Sequence, residues 1–200
     1  DAADIASAID TAFGTDNVEV NLLIGAFKSG HSSAKAQSVV TVASTRKDCF
    51  AFVSPDIADT KNIARATATT NVVQFADGMT TDSYGALDST ALYVYDKYNN
   101  KYHYIVAAGH VAGLAANTDD VADPWFSPAG FNRGGLRGVT KLAYNPAKTD
   151  RDTLYKSRVN PIVSFPGQGT VLFGDKTLQA KASAFDRINV RRLFITLQKA

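Results

Sequence analysis

A glycine-bounded segment near the C-terminus has the residue types of a phosphate-binding loop. The sequence reads Gly169-Thr-Val-Leu-Phe-Gly174-Asp175-Lys176-Thr177, and a loop that cradles phosphate ends in Gly-Lys-Ser/Thr. Asp175 separates the glycine from the lysine, which places a carboxylate where phosphate oxygens would lie. The four residues between the glycines favour a strand over a loop. We therefore predict a strand that ends in a turn, and assign no cofactor-binding residue.

The remaining nucleophiles and metal ligands are isolated from one another in the sequence. His31 lies in a Ser-Gly-His-Ser-Ser loop, and neither His103 nor His110 has the ligand spacing of a metal site. We expect all three histidines to be surface or cross-strand residues. Cys49, the single cysteine, lies in an apolar run and is expected to be an unreactive core thiol. No serine lies in a G-x-S-x-G elbow, so we assign no catalytic and no metal-binding residue.

Positive charge is concentrated in the last stretch of the chain. From residue 184 to 200, four cations and one carboxylate, Asp186, leave a local charge of +3: Arg187, Arg191, Arg192 and Lys199. Arg187 and Arg191 are one helical turn apart and share a face. The spacing fits a solvated helix face as well as a docking face for an acidic partner surface, so the residues alone leave both interpretations open.

The length and composition of the chain exclude several classes of protein. The chain has 200 residues, of which 45% are apolar and 20% are charged, with a net charge of +2. This composition predicts a folded core and excludes nucleic-acid binding through bulk positive charge. No apolar run is long enough to span a bilayer. Because the chain starts at Asp1 without a leader and its last helix lacks a stop signal, we expect both ends to be cuts in a longer polypeptide.

Alternating helices and strands are predicted in the first half of the chain. Apolar periodicity indicates helices over residues 2–13, 33–46 and 57–75, with apolar strands over residues 18–24 and 49–53. This order predicts an α/β layer with at least two parallel strands.

From residue 91 the pattern changes to hairpins. Residues 91–106 are predicted to form two strands around an Asn99-Asn100 turn, with Tyr95 facing Tyr104 and Asp96 facing His103. Shorter elements follow: helices over 107–116 and 149–158, strands over 138–144, 161–165 and 170–173, and a final helix over 183–200 that begins with a Ser183–Asp186 capping box. The fold class is therefore α/β, becoming α+β toward the C-terminus: a mixed β-sheet flanked by helices, with β-hairpins.

Four strings together resemble the contractile tail sheath proteins of myovirus-type bacteriophages. They run over residues 111–119, 123–134 (Asp-Pro-Trp-Phe-Ser-Pro-Ala-Gly-Phe-Asn-Arg-Gly), 161–178 (Pro-Ile-Val-Ser-Phe-Pro-Gly-Gln-Gly and onward) and 184–194. The resemblance runs from about Tyr93 to the end, and residues 1–90 match in their α/β pattern alone. It implies two parts, a subtilisin-like α/β part over 1–117 and a C-terminal sheath core part over 118–200. The sequence shows no Ser-His-Asp set in the subtilisin arrangement.

The resemblance implies a structural protein and its partners. Sheath subunits stack as rings, expected here to be six-fold, into a helical tube around an inner tail tube, and contraction drives that tube through the host envelope. Implied partners are copies of the chain itself, the inner tube protein, and baseplate and tail terminator proteins, without direct nucleic-acid binding or membrane insertion. The implied location is the virion tail, assembled in the bacterial cytoplasm. Extended terminal arms, absent from this chain, would add strands to a neighbour's sheet.

The resemblance also gives the basic cluster a role, because the family's C-terminal core helix commonly faces the inner tube. Arg187, Arg191, Arg192 and Lys199 are therefore candidate tube-docking residues, and no cofactor is implied. The alternative from another class is a soluble α/β nucleotide-binding domain or enzyme that uses residues 167–177.

Overall fold

The protein is described here by a computed structural model over residues 2–13 and 18–199. Its α-helices are α1 (Ala2–Phe13), α2 (Ser33–Arg46), α3 (Arg65–Asp77), α4 (Ala108–Val121), α5 (Lys148–Lys156) and α6 (Ile188–Lys199). Its strands are β1 (Leu22–Gly25), β2 (Phe50–Val53), β3 (Gly85–Asp88), β4 (Ala91–Asp96), β5 (Lys101–Val106), β6 (Val139–Leu142), β7 (Val159–Asn160), β8 (Ile162–Phe165) and β9 (Gly169–Leu172). Two 3₁₀ turns cover Ile57–Asp59 and Ala184–Asp186.

A parallel sheet in the order β1-β2-β3-β7 forms the centre of the molecule. Its strands are apolar on both faces because a core lies on each side. Along β2, Ala51 and Val53 point into a core built with α2, α3 and α5, while Phe50 and Phe52 point into a second core built with α4 and α6. The alternation follows from the two-residue period of a strand. The predicted α/β architecture with parallel strands and flanking helices is confirmed.

The first hairpin forms where the sequence predicted it but with a different register. β4 pairs antiparallel with β5, and Tyr95 lies opposite Tyr102, not Tyr104, while Asp96 lies opposite Lys101 and not His103. The loop therefore has four residues in place of two. Asp96 stabilises this longer loop, since its carboxylate accepts hydrogen bonds from the Tyr98 amide at 2.9 Å and from the Asn99 side chain at 2.6 Å. The shift of two residues leaves every side chain on its predicted face.

Strands β3 and β7 were not predicted from the sequence, and neither was a break in the helix predicted over residues 57–75. β3 and β7 are too short to show a periodic pattern, and they are strands because neighbouring strands pair with them. The helix predicted over 57–75 is divided into a 3₁₀ turn and α3. Asp56 caps the turn by accepting a hydrogen bond from the Ala58 amide at 2.7 Å, and Asn62 adopts a left-handed φ of 58° that interrupts the helix.

The predicted second hairpin is confirmed, since β8 and β9 pair antiparallel. One residue outside the hairpin, Gly135, also pairs with β9. The turn of the hairpin uses Gly167 and Gly169, both at positive φ, which glycine adopts without strain. Gly135 bridges to Val171 on the outer side of β9. In the first hairpin, β4 also pairs antiparallel with β6, so that β5, β4 and β6 form a three-stranded sheet in that order.

Candidate assembly surface

The C-terminal helix is held in place by the segment that resembles a phosphate loop. Lys176 and Arg187 form an isolated antiparallel bridge, the Thr177 amide donates to the Asp186 carbonyl at 2.9 Å, and the Ile188 amide donates to the Asp175 carbonyl at 3.2 Å. The prediction that a Ser183–Asp186 capping box begins the last helix is wrong. The Ser183 hydroxyl accepts from the Phe185 amide at 3.2 Å and caps the 3₁₀ turn, and α6 begins only at Ile188.

The segment over residues 169–177 does not form an anion-binding loop, because contacts within the chain occupy the amide and the ammonium of Lys176. The Lys176 amide donates to the Asn160 side-chain oxygen at 2.6 Å, and its ammonium lies 4.4 Å from the centre of the Tyr155 ring. Burial raises the pKa of Asp175 to about 6. The first part of the segment is β9, and the next α-helix begins at Ile188. This geometry agrees with the predicted strand and turn.

Arg192 faces the interior of the protein. Its side chain is buried, and its Nη2 lies 2.7 and 2.5 Å from the two carboxylate oxygens of Asp119 on α4. Its Nη1 donates to the Pro124 carbonyl at 3.4 Å. The structure therefore separates Arg192 from the other candidate docking residues and gives it a contact between two helices.

Arg191 lies on α6, Arg187 immediately precedes the helix in an extended conformation, and each guanidinium lies over at least one aromatic ring. Arg191 lies 4.3 Å from the ring centre of Tyr84 and 4.0 Å from that of Phe185, and donates to the Ser83 hydroxyl at 2.6 Å. Burial lowers the pKa of Arg191. The exposed Arg187 lies 5.8 Å from the ring centre of Tyr155. Both cations are therefore held in fixed positions by the rings beneath them.

Lys199 is exposed but bonds within the chain at the far end of α6. Its ammonium donates to the Val20 carbonyl at 3.1 Å and to the Asn21 side chain. These contacts join the end of α6 to the entry of β1. All four cations of the predicted cluster therefore contact other elements, and the guanidinium of Arg187, which immediately precedes α6, is the most exposed of the three arginines.

Two apolar side chains complete the outer side of α6. Phe194 is 46% exposed and Leu197 is 61% exposed, and they follow Arg191 at helical spacings of three residues each. Their exposure could not be predicted from the sequence, because apolar residues on an amphipathic helix are expected to face the core. The actual core contacts are Ile188 and Ile195. We call Arg191, Phe194 and Leu197, together with Arg187 immediately before the helix, the α6 face.

The histidines and the cysteine show no reactive site. His31 is buried, which corrects the expected surface position. His103 lies opposite Val94, and burial lowers the pKa of His110. Cys49 is fully buried, and burial raises its pKa to about 11, so the predicted core thiol is confirmed. Over residues 2–13 and 18–199, no three potential metal ligands cluster, and no helix within those ranges is long and apolar enough to cross a membrane.

A packed α/β body that presents an arginine and apolar face is typical of a subunit that acts by binding other proteins. Residues 1–178 match the family described as the phage tail sheath protein central domain. The chain is 43% identical over 182 residues to the tail sheath protein of Vibrio phage KVP40 and 39% identical over 210 residues to that of Enterobacteria phage T4. The chain belongs to the phage tail sheath family.

The matches cover most of this chain but only a part of each related protein. The alignments cover 84% and 98% of this chain but 27% and 32% of the KVP40 and T4 proteins, so the chain spans a third or less of those relatives. Among solved structures, the contracted PVC sheath complex of an extracellular contractile injection system has a TM-score of 0.74 at 18% identity, covering 97% of this chain and 49% of that one. The contracted helical sheath of the anti-feeding prophage has a TM-score of 0.69 at 20% identity, covering 100% and 50%. These structures share the fold.

Proposed function

We propose that this chain is the core of a structural subunit of a contractile tail sheath. The subunit polymerises helically around an inner tail tube and contracts to drive that tube through the host cell envelope during genome delivery. The observation that carries the proposal is the family match over residues 1–178, together with relatives about 40% identical that are named tail sheath proteins. A repeated head-to-tail contact that does not close into a ring produces a helical filament, which is the assembly that this function needs.

The partners follow from that assembly. The subunit binds other copies of itself in stacked, six-fold rings, the inner tube protein, and the baseplate and tail terminator proteins at the two ends. It acts in the virion tail after assembly in the bacterial cytoplasm, and it contacts neither nucleic acid nor the bilayer interior directly. The function requires a rigid subunit, and two cores packed on both faces of one sheet support rigidity.

The α6 face is the proposed contact with the inner tube. Arg187 and Arg191 supply positive charge in orientations set by Tyr155, Tyr84 and Phe185. Pre-positioned cations lose little side-chain freedom on binding. Phe194 and Leu197 add exposed apolar area, and removing such area from water on binding is favourable. The tube surface that fits this face is acidic with an apolar centre.

The alternative function, a nucleotide-binding domain or enzyme that uses residues 167–177, receives no support from the local geometry. The Lys176 amide donates to the Asn160 side chain and its ammonium lies over the Tyr155 ring, while the Asp175 carbonyl accepts from the Ile188 amide. Isothermal titration of the chain with magnesium ATP and magnesium GTP tests this alternative. The sheath proposal predicts no binding at millimolar nucleotide, and saturable binding that is lost in K176A would favour the alternative.

Electron microscopy of the full-length subunit tests the proposed function. Negatively stained preparations are expected to contain tubes of uniform diameter, formed by the subunit alone or on added inner tubes. Docking is tested separately by sedimenting tubes with the charge-reversed variant R187E/R191E, and with K97E/K101E as a matched double reversal of exposed cations at the β4–β5 hairpin. We expect R187E/R191E alone to lose co-sedimentation. Equal loading of both variants would contradict the docking role without affecting the proposal that the subunit polymerises.

A further inference from the structure

The outer face of the β5-β4-β6 sheet is covered by tyrosine rings. Leu92 and Leu142 point from this sheet into the second core, so the alternate side chains of β4 and β5 point away from it. Neighbouring rings lie with their centroids between 4.7 and 5.4 Å apart, and Tyr95 and Tyr102 are 47% and 49% exposed. We call these rings the tyrosine face: Tyr93, Tyr95, Tyr102 and Tyr104. Tyrosine is enriched at contacts between proteins, so this face is a candidate for such a contact.

Two exposed lysines add positive charge to the tyrosine face. The ammonium of Lys141 lies 4.7 Å from the ring centre of Tyr93, and the ammonium of Lys61 lies 5.3 Å from that of Tyr104. Neither lysine forms an ion pair with a carboxylate of the described residues. The rings attract both cations and leave their charges available to a partner. A partner that fits this face presents carboxylates beside an apolar centre.

The complementary surface lies at the C-terminal end of α4. The last turn of this helix contains Asp119 and Asp120 and no basic residue, although the C-terminal end of a helix favours cations. Asp119 is bound by α6, whereas neither Asp120 nor Asp123 forms an ion pair with a cation of the described residues. In the same stretch, Val121 is 63% exposed and Trp125 is 41% exposed. We call Asp120, Val121, Asp123 and Trp125 the acidic end.

We propose that the tyrosine face of one subunit binds the acidic end of a second copy, with Lys61 and Lys141 against Asp120 and Asp123. The inference rests on the proposed function, since it identifies a contact through which the subunits polymerise. The contact joins opposite charges that have no ion-pair partner within the described part of the chain. It also removes the exposed Val121 side chain and the tyrosine rings from water, which is favourable.

The two surfaces face different sides of one subunit. α4 packs in the second core, on the inner side of the β5-β4-β6 sheet, and the tyrosine face lies on the outer side. α4 begins two residues after β5 ends, and its 14 residues place its acidic end about 20 Å from that point. The contact is therefore head-to-tail between copies, and such contacts extend into a filament when they do not close into a ring. A second copy is favoured over an unrelated acidic protein because the chain itself carries the acidic end.

Charge reversal and charge exchange in the full-length subunit test this contact. K61E/K141E and D120K/D123K each place like charges against one another. Each should therefore raise the concentration at which polymers sediment, in the absence of inner tubes, by roughly tenfold. An equal mixture of the two variants restores opposite charges at every contact of an alternating chain, and the quadruple variant restores them in one subunit. Both should polymerise within about threefold of the wild-type concentration.

Two further variants separate this contact from general effects of charge and folding. K97E/K101E reverses two exposed cations at the tip of the β4–β5 hairpin, outside the tyrosine face, and should polymerise like the wild type. Y102S removes an exposed ring without changing the charge, and it should also raise the required concentration, because aromatic side chains are often the dominant residues of a contact. Circular dichroism of each variant shows whether it is folded.

The outcomes distinguish this contact from the proposed function. If the wild type forms tubes, unchanged polymerisation of folded K61E/K141E, or no recovery in the mixture and the quadruple variant, would overturn the inference and leave the proposed function standing. Unchanged polymerisation of Y102S would overturn it even if a charge variant did not fold. A wild-type subunit that forms no tubes would contradict the proposed function and this inference together.

Discussion

Arg192 on α6 binds Asp119 on α4 through contacts of 2.7 and 2.5 Å from one guanidinium nitrogen to both carboxylate oxygens. The two residues are 73 positions apart in the chain, and each helix also contributes to the second core. A buried ion pair adds little net stability against an apolar replacement, but it penalises every arrangement that leaves one charge unpaired. The pair therefore fixes how α6 sits on α4, and with it the direction of the α6 face.

Removing Arg192 should destabilise the protein more than removing its exposed neighbours. R192A leaves the Asp119 carboxylate, whose side chain is 33% exposed, without its cation and opens space in the core. We expect the free energy of unfolding to fall by about 2–4 kcal/mol in urea titrations. R187A, which removes an exposed cation, should change it by less than about 0.5 kcal/mol. Equal effects of the two variants would show that the pair does not hold the helices.

A methyl group added at Gly85 should be far more disruptive than one added at Gly113. A Cβ at Gly85 would lie 2.7 and 2.8 Å from the two methyl carbons of Val40 and 3.2 Å from Leu178. G85A is therefore expected to lower the free energy of unfolding by about 1–3 kcal/mol. A Cβ at Gly113 on α4 meets nothing within 4 Å, so G113A should raise it by about 0.5–1 kcal/mol. Thermal unfolding of G85A and G113A measures both changes in stability. An unchanged stability of G85A would mean that α2 packs less closely on β3 than the Gly85–Val40 distance indicates.

Asp88 makes stability depend on pH in the direction opposite to most carboxylates. It is fully enclosed, and burial raises its pKa to about 7, although the Ser54 hydroxyl and the Thr90 amide donate to it. The folded state therefore holds a proton that the unfolded state releases, and stability falls as pH rises from about 4 through 7.

The variant D88N removes this titration and keeps an oxygen that accepts from Ser54. We expect the wild-type free energy of unfolding to fall, relative to D88N, by up to about 4 kcal/mol over that pH range. D120N, a change at an exposed aspartate, is the matched control and should follow the wild type. Parallel pH profiles for wild type and D88N would refute a protonated Asp88 in the fold.

Polar replacement of the exposed apolar pair should separate docking from folding. F194S/L197S replaces side chains that are already 46% and 61% exposed, so the free energy of unfolding should change by less than about 1 kcal/mol. Co-sedimentation with inner tubes should nevertheless fall, because the variant loses the favourable removal of these apolar side chains from water at the contact. I195A, one helical position away and buried, serves as the contrast and should lower stability by about 2–4 kcal/mol. Unchanged co-sedimentation of the double variant would remove Phe194 and Leu197 from the docking face.

Local patterns predicted much of the fold. The apolar runs containing Phe50 and Phe52 predicted buried parallel strands, and the glycines of the β8–β9 turn predicted a hairpin. The register of the first hairpin was wrong because Asp96 and Asn99 hydrogen-bond across a longer loop than the asparagine pair suggested. β3 and β7 could not be found locally, since their strand state depends on neighbours brought together by the fold.

The candidate site was predicted only in part. Helical spacing predicted that Arg187 and Arg191 share a helix face, but Arg187 immediately precedes α6 in an extended conformation (φ −110°, ψ 135°), so helical spacing does not relate the two side chains. Spacing could not show that Arg192 pairs with Asp119, because that contact depends on how two distant helices pack. It also could not show that Phe194 and Leu197 are exposed, since the composition of a helix does not reveal how deeply it sits in the core. The burial of His31 was missed for the same reason.

The central claim is that this chain works as a repeated building block of a tube. Cryo-electron microscopy of the full-length subunit, assembled on inner tubes, tests it most directly. The account predicts a helical array of stacked rings in which Arg187, Arg191, Phe194 and Leu197 line the inner wall and contact the tube. A subunit that remains monomeric at high concentration with tubes present, or an array with α6 on its outer wall, would contradict it.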